Sequence, residues 1–588
     1  MSDIETGGDV ATTAKPRTAR MPSTGPFTTA RGLLPLIVIS LFLFALPIVM
    51  LVVGAFRNAA PGAPAQWSFE AFVRTYTDPA SYTTLGNSVI LAGSSTAIGV
   101  VVALVLAFLV TRTTTPLRRL VTPAMVLVVA LPPLFYAISW GMLGNPTIGL
   151  INTVWKQLSG SGDALFDVNS WAGLILVVSL KNAAFAYLLI IGPFRALDRS
   201  LEEAAQVAGA GRLRTILGID LVMLAPAITG VTILTFVIGL EAFDVPLFLG
   251  TPAGIDVFST QIYSLIASRS PADYGGASAI SLLLVVVVIA LVLLQWRILG
   301  RRRFTTVGGK SYRTEPWNIG PWRWVGAVFI GIYLLVAIVA PLFQLVLGSL
   351  QPYFGAGTVY SLANYQKLLT NHTTVTALQS TFFVGLVGGL VAMVLALTLV
   401  YAITHNETRL RRLLDMLTWL PYAVPGVVLS LGLAWTYVSL PGFRQLYGSV
   451  FLVALALVVA VTPIATRAIQ PAVIQINREL EEASRVSGAK PGRMVLGIVL
   501  PLIMPSFLSG WFVVAIVMSG NLAIPILLSS STSPTVPLLV YQLYGQGQTS
   551  QAAALFVIML VGLLFGLAVV AVIGRILSRR FGRTRTNR

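Results

Sequence analysis

Apolar residues in this chain run in long blocks, and polar residues collect in short clusters between them. Leu33–Val53 and Leu555–Ile573 carry almost no charge, and Leu282–Leu294 with its flanks follows the same pattern. A helix needs ~20 apolar residues to cross the hydrocarbon core of a bilayer. With Pro, Gly and charge as punctuation, that length predicts twelve spans, at roughly 33–53, 86–110, 120–143, 171–193, 221–249, 277–299, 324–347, 379–403, 413–437, 448–469, 500–528 and 552–577. The fold class is an all-α polytopic membrane protein.

The blocks divide the chain into a polar, Thr/Pro/Ala-rich tail over 1–32, a first six-span half over 33–300, a basic linker over 301–323, a second six-span half over 324–577 and a basic tail over 578–588. The first tail has too few apolar residues for a core and reads as disordered. The run at 33–53 is long for a signal peptide and lacks an A-x-A cleavage site, so it counts as the first span.

Composition sharpens this picture. Hydrophobic residues make up 56% of the chain and charged residues only 10%, against about 25% charged in a soluble globular domain. Lipid is the main solvent. There is no cysteine and only two histidines, His372 and His405. Disulfides, thiolate metal sites, iron–sulfur ligation and cysteine nucleophiles are excluded, and no metal site or catalytic residue is expected.

The net charge of +18 is carried by the loops. Alternate loops hold Arg112, Arg118 and Arg119; Arg195, Arg199, Arg212 and Arg214; Arg297, Arg301, Arg302, Arg303, Lys310, Arg313 and Arg323; Arg409, Arg411 and Arg412; Arg467, Arg478, Arg485, Lys490 and Arg493; and Arg575, Arg579, Arg580, Arg583, Arg585 and Arg588. The intervening loops hold only Arg57, Arg74, Lys156, Arg269, Lys367 and Arg444. The positive-inside rule then places both termini in the cytoplasm, and the excess charge answers to anionic lipid, not nucleic acid. Gly309-Lys310-Ser311 in the linker is not a phosphate loop, because Phe304 stands where the motif needs its first glycine.

The chain also repeats itself. Glu202-Glu203-Ala204-Ala205-Gln206-Val207-Ala208-Gly209-Ala210 matches Glu481-Glu482-Ala483-Ser484-Arg485-Val486-Ser487-Gly488-Ala489 at an offset of 279 (481 − 202), and Pro226 and Pro246 match Pro505 and Pro525 at the same offset. Both copies lie between the fourth and fifth spans of their half, so the duplication is parallel. Each motif predicts a short helix with acidic residues near its N-terminus, ended by Gly209 or Gly488. A single copy would pass for a solvated connector; two in register would not.

These residues resemble a known family. E-A-A, three residues, G, nine residues, I-x-L-P is the signature loop of ABC importer permeases. Glu203-Ala204-Ala205…Gly209…Ile219-Asp220-Leu221 and Glu482-Ala483-Ser484…Gly488…Ile498-Val499-Leu500-Pro501 are similar to it, departing at Val222 and Ser484. The resemblance implies the type I importer permease fold, with Glu202, Glu203, Ala204, Ala205, Gly209, Glu481, Glu482, Ala483, Ser484 and Gly488 forming two coupling helices. It implies two ABC ATPase subunits on the cytoplasmic side, an extracytoplasmic solute-binding protein, and a bacterial plasma (inner) membrane. ATP and magnesium would sit on the partner subunits, leaving this chain without cofactor or enzymatic activity. Leu420-Pro421-Tyr422-Ala423-Val424-Pro425-Gly426 and the fusion of both halves resemble permeases for iron(III), thiamine, polyamine or aminoethylphosphonate, with iron(III) favoured. An ion-coupled secondary transporter is the rival class; it has no need of twin acidic-small-glycine loops.

Charges inside spans are functional candidates, because each costs several kcal/mol unless it faces a cavity or a partner. Lys181 lies beside Asn182 in the fourth span; Glu241 and Asp244 are three apart in the fifth, which would put them on one helix face; Asn521 lies at the equivalent interruption of the second half. Either these residues line a translocation path, or Lys181 neutralises Glu241 or Asp244 in a structural ion pair.

Overall fold

Proline decides where the helices of this protein bend. The computed structural model describes residues 30–583 apart from 198–199, 301–315, 358, 407 and 490. Most of the expected first tail, the linker over 301–315, the end of the second tail, and the side chains of Glu203, Glu481 and Glu482 lie outside the described residues.

The first half comprises α1 (Arg31–Ala55), α2 (Glu70–Thr77), α3 (Pro79–Arg112), α4 (Arg118–Ala130), α5 (Pro133–Leu143), α6 (Leu150–Ser159), α7 (Trp171–Ala196), α8 (Ser200–Val207), α9 (Ile216–Leu240), α10 (Phe258–Ala267) and α11 (Tyr274–Gly300). The second repeats the plan with α12 (Trp322–Leu350), α13 (Ala363–Thr370), α14 (His372–His405), α15 (Leu410–Ala423), α16 (Gly426–Ser439), α17 (Val450–Ile474), α18 (Arg478–Val486), α19 (Gly492–Ser519), α20 (Val536–Gly545) and α21 (Thr549–Arg583). Among these helices, α6 has no counterpart in the second half. Among the described residues there is no strand.

Among the described residues, ten helices are long and apolar enough to cross a membrane. The spans expected at 120–143 and 413–437 are not continuous: α4 meets α5 at 98°, and α15 meets α16 at 113°. The residue before a proline is pushed out of the helical region. Leu131 before Pro132 has ψ 130°, and Val424 before Pro425 has φ −122° and ψ 119°. The limbs after these bends, α5 and α16, are apolar all round and buried on every side from Leu134 to Leu143 and from Val427 to Tyr437.

The fifth spans also stop short of their expected ends, α9 at Leu240 and α19 at Ser519. Pro246 and Pro525 cannot continue a helix through the four residues before them. Glu241 therefore caps α9, Ala242 and Phe243 are non-helical, and Asp244 opens the next turn. The two carboxylates do not share one helix face as expected.

Each half's first span crosses to the other half. α1 lies against α16, so closely that a Cβ on Gly432 would stand 2.5 Å from the Pro47 carbonyl oxygen. α12 lies against α5, where Tyr136 donates to the Ala337 carbonyl at 3.2 Å and a Cβ on Gly348 would overlap the Met142 side chain. Apolar attraction is weak between helices in lipid, and close backbone approach through small residues supplies the contact instead.

Gly432→Ala is expected to destabilise the purified protein by about 1–3 kcal/mol, because the colliding atom is backbone and cannot swing away. Gly331→Ala, where no atom lies within 4 Å of the added methyl, is expected to be neutral or stabilising. Thermal unfolding of both variants in detergent checks this; equal melting temperatures would contradict the crossed packing.

Candidate functional site

A backbone break at membrane depth is tolerated only where it is buried in protein or lines a cavity. The four breaks described above converge on one cavity of about 360 Å³. Its wall includes Leu131 and Pro132 from the first bend, Gly426 from the second, Glu241–Val245 after α9, and Gly520–Ala523 after α19. It thus lies between the two halves, and side chains attend to the interrupted backbone around it. Lys181 Nζ on α7 donates to the Leu131 carbonyl at 2.5 Å. Ser259 Oγ on α10 donates to the Ala242 carbonyl, four residues before Pro246, also at 2.5 Å. Ser430 Oγ on α16 donates to the Ala523 carbonyl at 3.0 Å, and Asn521 Oδ1 accepts from the Ile524 amide at 3.0 Å.

The five residues singled out within the spans, Lys181, Asn182, Glu241, Asp244 and Asn521, all line this cavity. Asn182 is also tied to α3 through Ser95 Oγ at 3.2 Å. Among the described residues Lys181 forms no ion pair with either carboxylate; its ammonium is held by the bend instead. Glu241 Oε1 and Asp244 Oδ1 are buried without a hydrogen-bond partner. At the offset of 279, Lys181, Glu241 and Asp244 correspond to Ala460, Gly520 and Ala523 in the second half, so the first half alone supplies the charge at the cavity.

The repeated motif forms α8 and α18. Each ends in a glycine with positive φ, 85° at Gly209 and 78° at Gly488, and the next amide reaches five residues back: Ala210 to Ala205 at 2.9 Å, Ala489 to Ser484 at 3.1 Å. This Schellman geometry turns the chain sharply into α9 and α19. No atom lies within 4 Å of a Cβ at either glycine, so the requirement is conformational, and any side chain would strain it by about 1–2 kcal/mol. The ends of both helices present apolar residues to the outside, with Val207 91% and Val486 87% exposed. Ala204, Ala208, Ala483 and Ser487 are exposed beside them, while Ala205 is half-buried and Ser484 buried.

Glu202 has a different role from its neighbours. It forms an ion pair with Arg112 at 2.8 Å, with both side chains almost wholly buried. Arg112 ends α3, stands over the Phe194 ring of α7 at 5.9 Å, and its carbonyl accepts from the Trp317 amide at 2.8 Å. The Thr114 amide returns a bond to the Trp317 carbonyl at 3.1 Å. One arginine thus joins α3, α7, the first motif helix and the end of the linker. In the sequence Arg112 stands out only as inside charge; the signal for its structural role is its place at the end of an apolar run, where a lone arginine needs an anion.

Residues 95–305 and 388–583 match the family model described as binding-protein-dependent transport system inner membrane component. The chain is similar to the ferric transport system permease protein FbpB of Actinobacillus pleuropneumoniae, 25% identical over 490 residues covering 81% of this chain and 68% of that protein. It is also similar to the Fe(3+)-transport system permease protein FbpB 2 of Haemophilus influenzae, 24% identical over 404 residues covering 67% of this chain and 75% of that one. A chain of a solved bacterial ABC transporter involved in the import of the acidic polysaccharide alginate is 24% identical, with a TM-score of 0.40, over 46% of this chain and 93% of that chain.

Removing either partner of the Arg112–Glu202 pair strands a buried charge. Arg112→Leu and Glu202→Leu are each expected to cost on the order of 3 kcal/mol. The double variant is expected to cost less than the sum, with a coupling of about 1–3 kcal/mol. A double-mutant cycle by thermal or chemical unfolding in detergent measures it, and simple additivity would refute the pair.

Proposed function

We propose, from the premise that this chain belongs to the binding-protein-dependent transport system inner membrane component family and is a multi-pass transport subunit with both halves fused, that it is the permease of an ABC importer for iron(III). The observation that carries the coupling half of this reading is the pair of equivalent motif helices, each with an exposed valine and a glycine-locked end. A short helix with a small, apolar, unpartnered end is suited to a groove on another protein. Two of them fit two ATPase subunits, where ATP would be bound with magnesium and hydrolysed. Closure of the ATPases would carry α8 and α18 together, and the sharp turns would pass the motion into α9 and α19, whose far ends form the cavity wall.

The cargo half of the reading is supported by the two relatives named as ferric permeases, each aligned over two thirds or more of this chain. Thiamine, polyamine and aminoethylphosphonate have no comparable support. An extracytoplasmic binding protein would deliver the ion to the outer face, and the cavity between the halves would pass it inward by alternating access. In this orientation α8, α18 and both termini face the cytoplasm of a bacterial cell, with α6 outside.

Three tests bear on this reading. Co-purified with its ATPase and binding protein, the chain is expected to support ATP hydrolysis stimulated by the iron(III)-loaded binding protein. Gly209→Val and Gly488→Val are expected to lower that stimulation at least tenfold; stimulation at the wild-type level in both would remove the coupling role. Uptake of radiolabelled iron(III) driven by a proton or sodium gradient without ATP would replace the reading with secondary transport. Because the chain has no cysteine, orientation can be tested with single thiols in right-side-out vesicles: Ser159→Cys is expected to react with an impermeant maleimide, and Ser487→Cys only after permeabilisation.

A further inference from the structure

We propose that Glu241 and Asp244 form a transient binding site for a hard multivalent cation, on the cavity wall contributed by the first half. This rests on the importer reading and names the place where its iron(III) cargo meets the protein.

The first support is the cavity's position and wall. It lies between the halves, where four backbone breaks meet, and its charged residues all come from one side. The second is the state of the carboxylates. Asp244 is only 8% exposed, lines the cavity and has an oxygen with no protein partner; Glu241 has one likewise. A carboxylate offers about four acceptor positions, and leaving them empty away from water is costly. A structural ion pair with Lys181 would have met that need. The lysine instead holds the Leu131 carbonyl, so the carboxyl oxygens stay available to something that enters the cavity.

Oxygen donors without nitrogen or sulfur suit hard cations, and iron(III) is one. The small number of donors is informative as well. Among the described residues no group of three or more His, Cys, Asp or Glu side chains assembles, so the pair has too few ligands to retain a metal permanently. A transport path needs a site favourable enough to enter and weak enough to leave. Lys181, on the same cavity wall, contributes repulsion that keeps the affinity low.

The test is cation binding by the full chain purified into lipid nanodiscs, with neither ATPase nor binding protein present. Terbium(III) serves as the hard trivalent probe, read by its luminescence, with iron(III) citrate as competitor. One saturable site is expected. Glu241→Gln or Asp244→Asn should weaken it about tenfold each, and the double variant should abolish it. Lys181→Gln should tighten it severalfold, a change of opposite sign that general disruption would not produce. Thermal unfolding of each variant verifies that the fold survives. Wild-type protein that binds no terbium, a double variant that binds like wild type, or a Lys181→Gln variant weakened like the carboxylate variants would each overturn the proposal. Such a failure would leave ATPase coupling untouched, since no partner takes part; conversely, loss of binding-protein-stimulated hydrolysis in the glycine variants would not alter terbium affinity.

Discussion

A peptide group at the depth of the bilayer core has no water to bond, and this constraint organises the rest of the molecule. The chain interrupts its helices four times at prolines, and each interruption releases carbonyl or amide groups. They can exist only where other parts of the protein close over them. That is why the breaks meet at one place, and why Lys181, Ser259, Ser430 and Asn521 are spent on backbone atoms rather than on one another. The cavity is the space left where four broken helices cannot pack as continuous cylinders. It follows from the same prolines that make the helices end there.

The two halves share a plan but not a chemistry. The motif helices keep matched glycine geometry and matched exposed valines. At the cavity, the charged positions of the first half are alanine or glycine in the second. Paired ATPases would require equal handles, because they pull on both halves at once. A passing ion requires nothing of the kind and can be handled by one wall. Fusion into one chain lets these demands be met separately, since each half is always opposite its partner.

Most of the fold was legible in the sequence. Apolar length gave ten of the spans within a few residues at most ends, and the repeat announced the parallel halves. The bent pairs were not legible by the same means, because hydropathy sums composition over a window and is blind to direction. Pro132, Pro133 and Pro425 were visible, yet an apolar window containing a proline looks like a span with a kink. The candidate residues were legible by type, since a polar or charged side chain in an apolar run is conspicuous, and all five line one cavity. Their partners were not. Lys181 answers to a carbonyl, which every residue has, and Glu202 answers to Arg112 across 90 positions (202 − 112) that the fold brings together.

The crossing of the first spans also sets an order of events during synthesis. Pro47 on α1 packs against Gly432 on α16, 385 residues later (432 − 47). At roughly 5–20 residues per second on the ribosome, α1 waits about 20–80 s for the helix it is shaped to meet. During that interval lipid must occupy the face that α16 later covers. The first half on its own is therefore an assembly intermediate with an open flank.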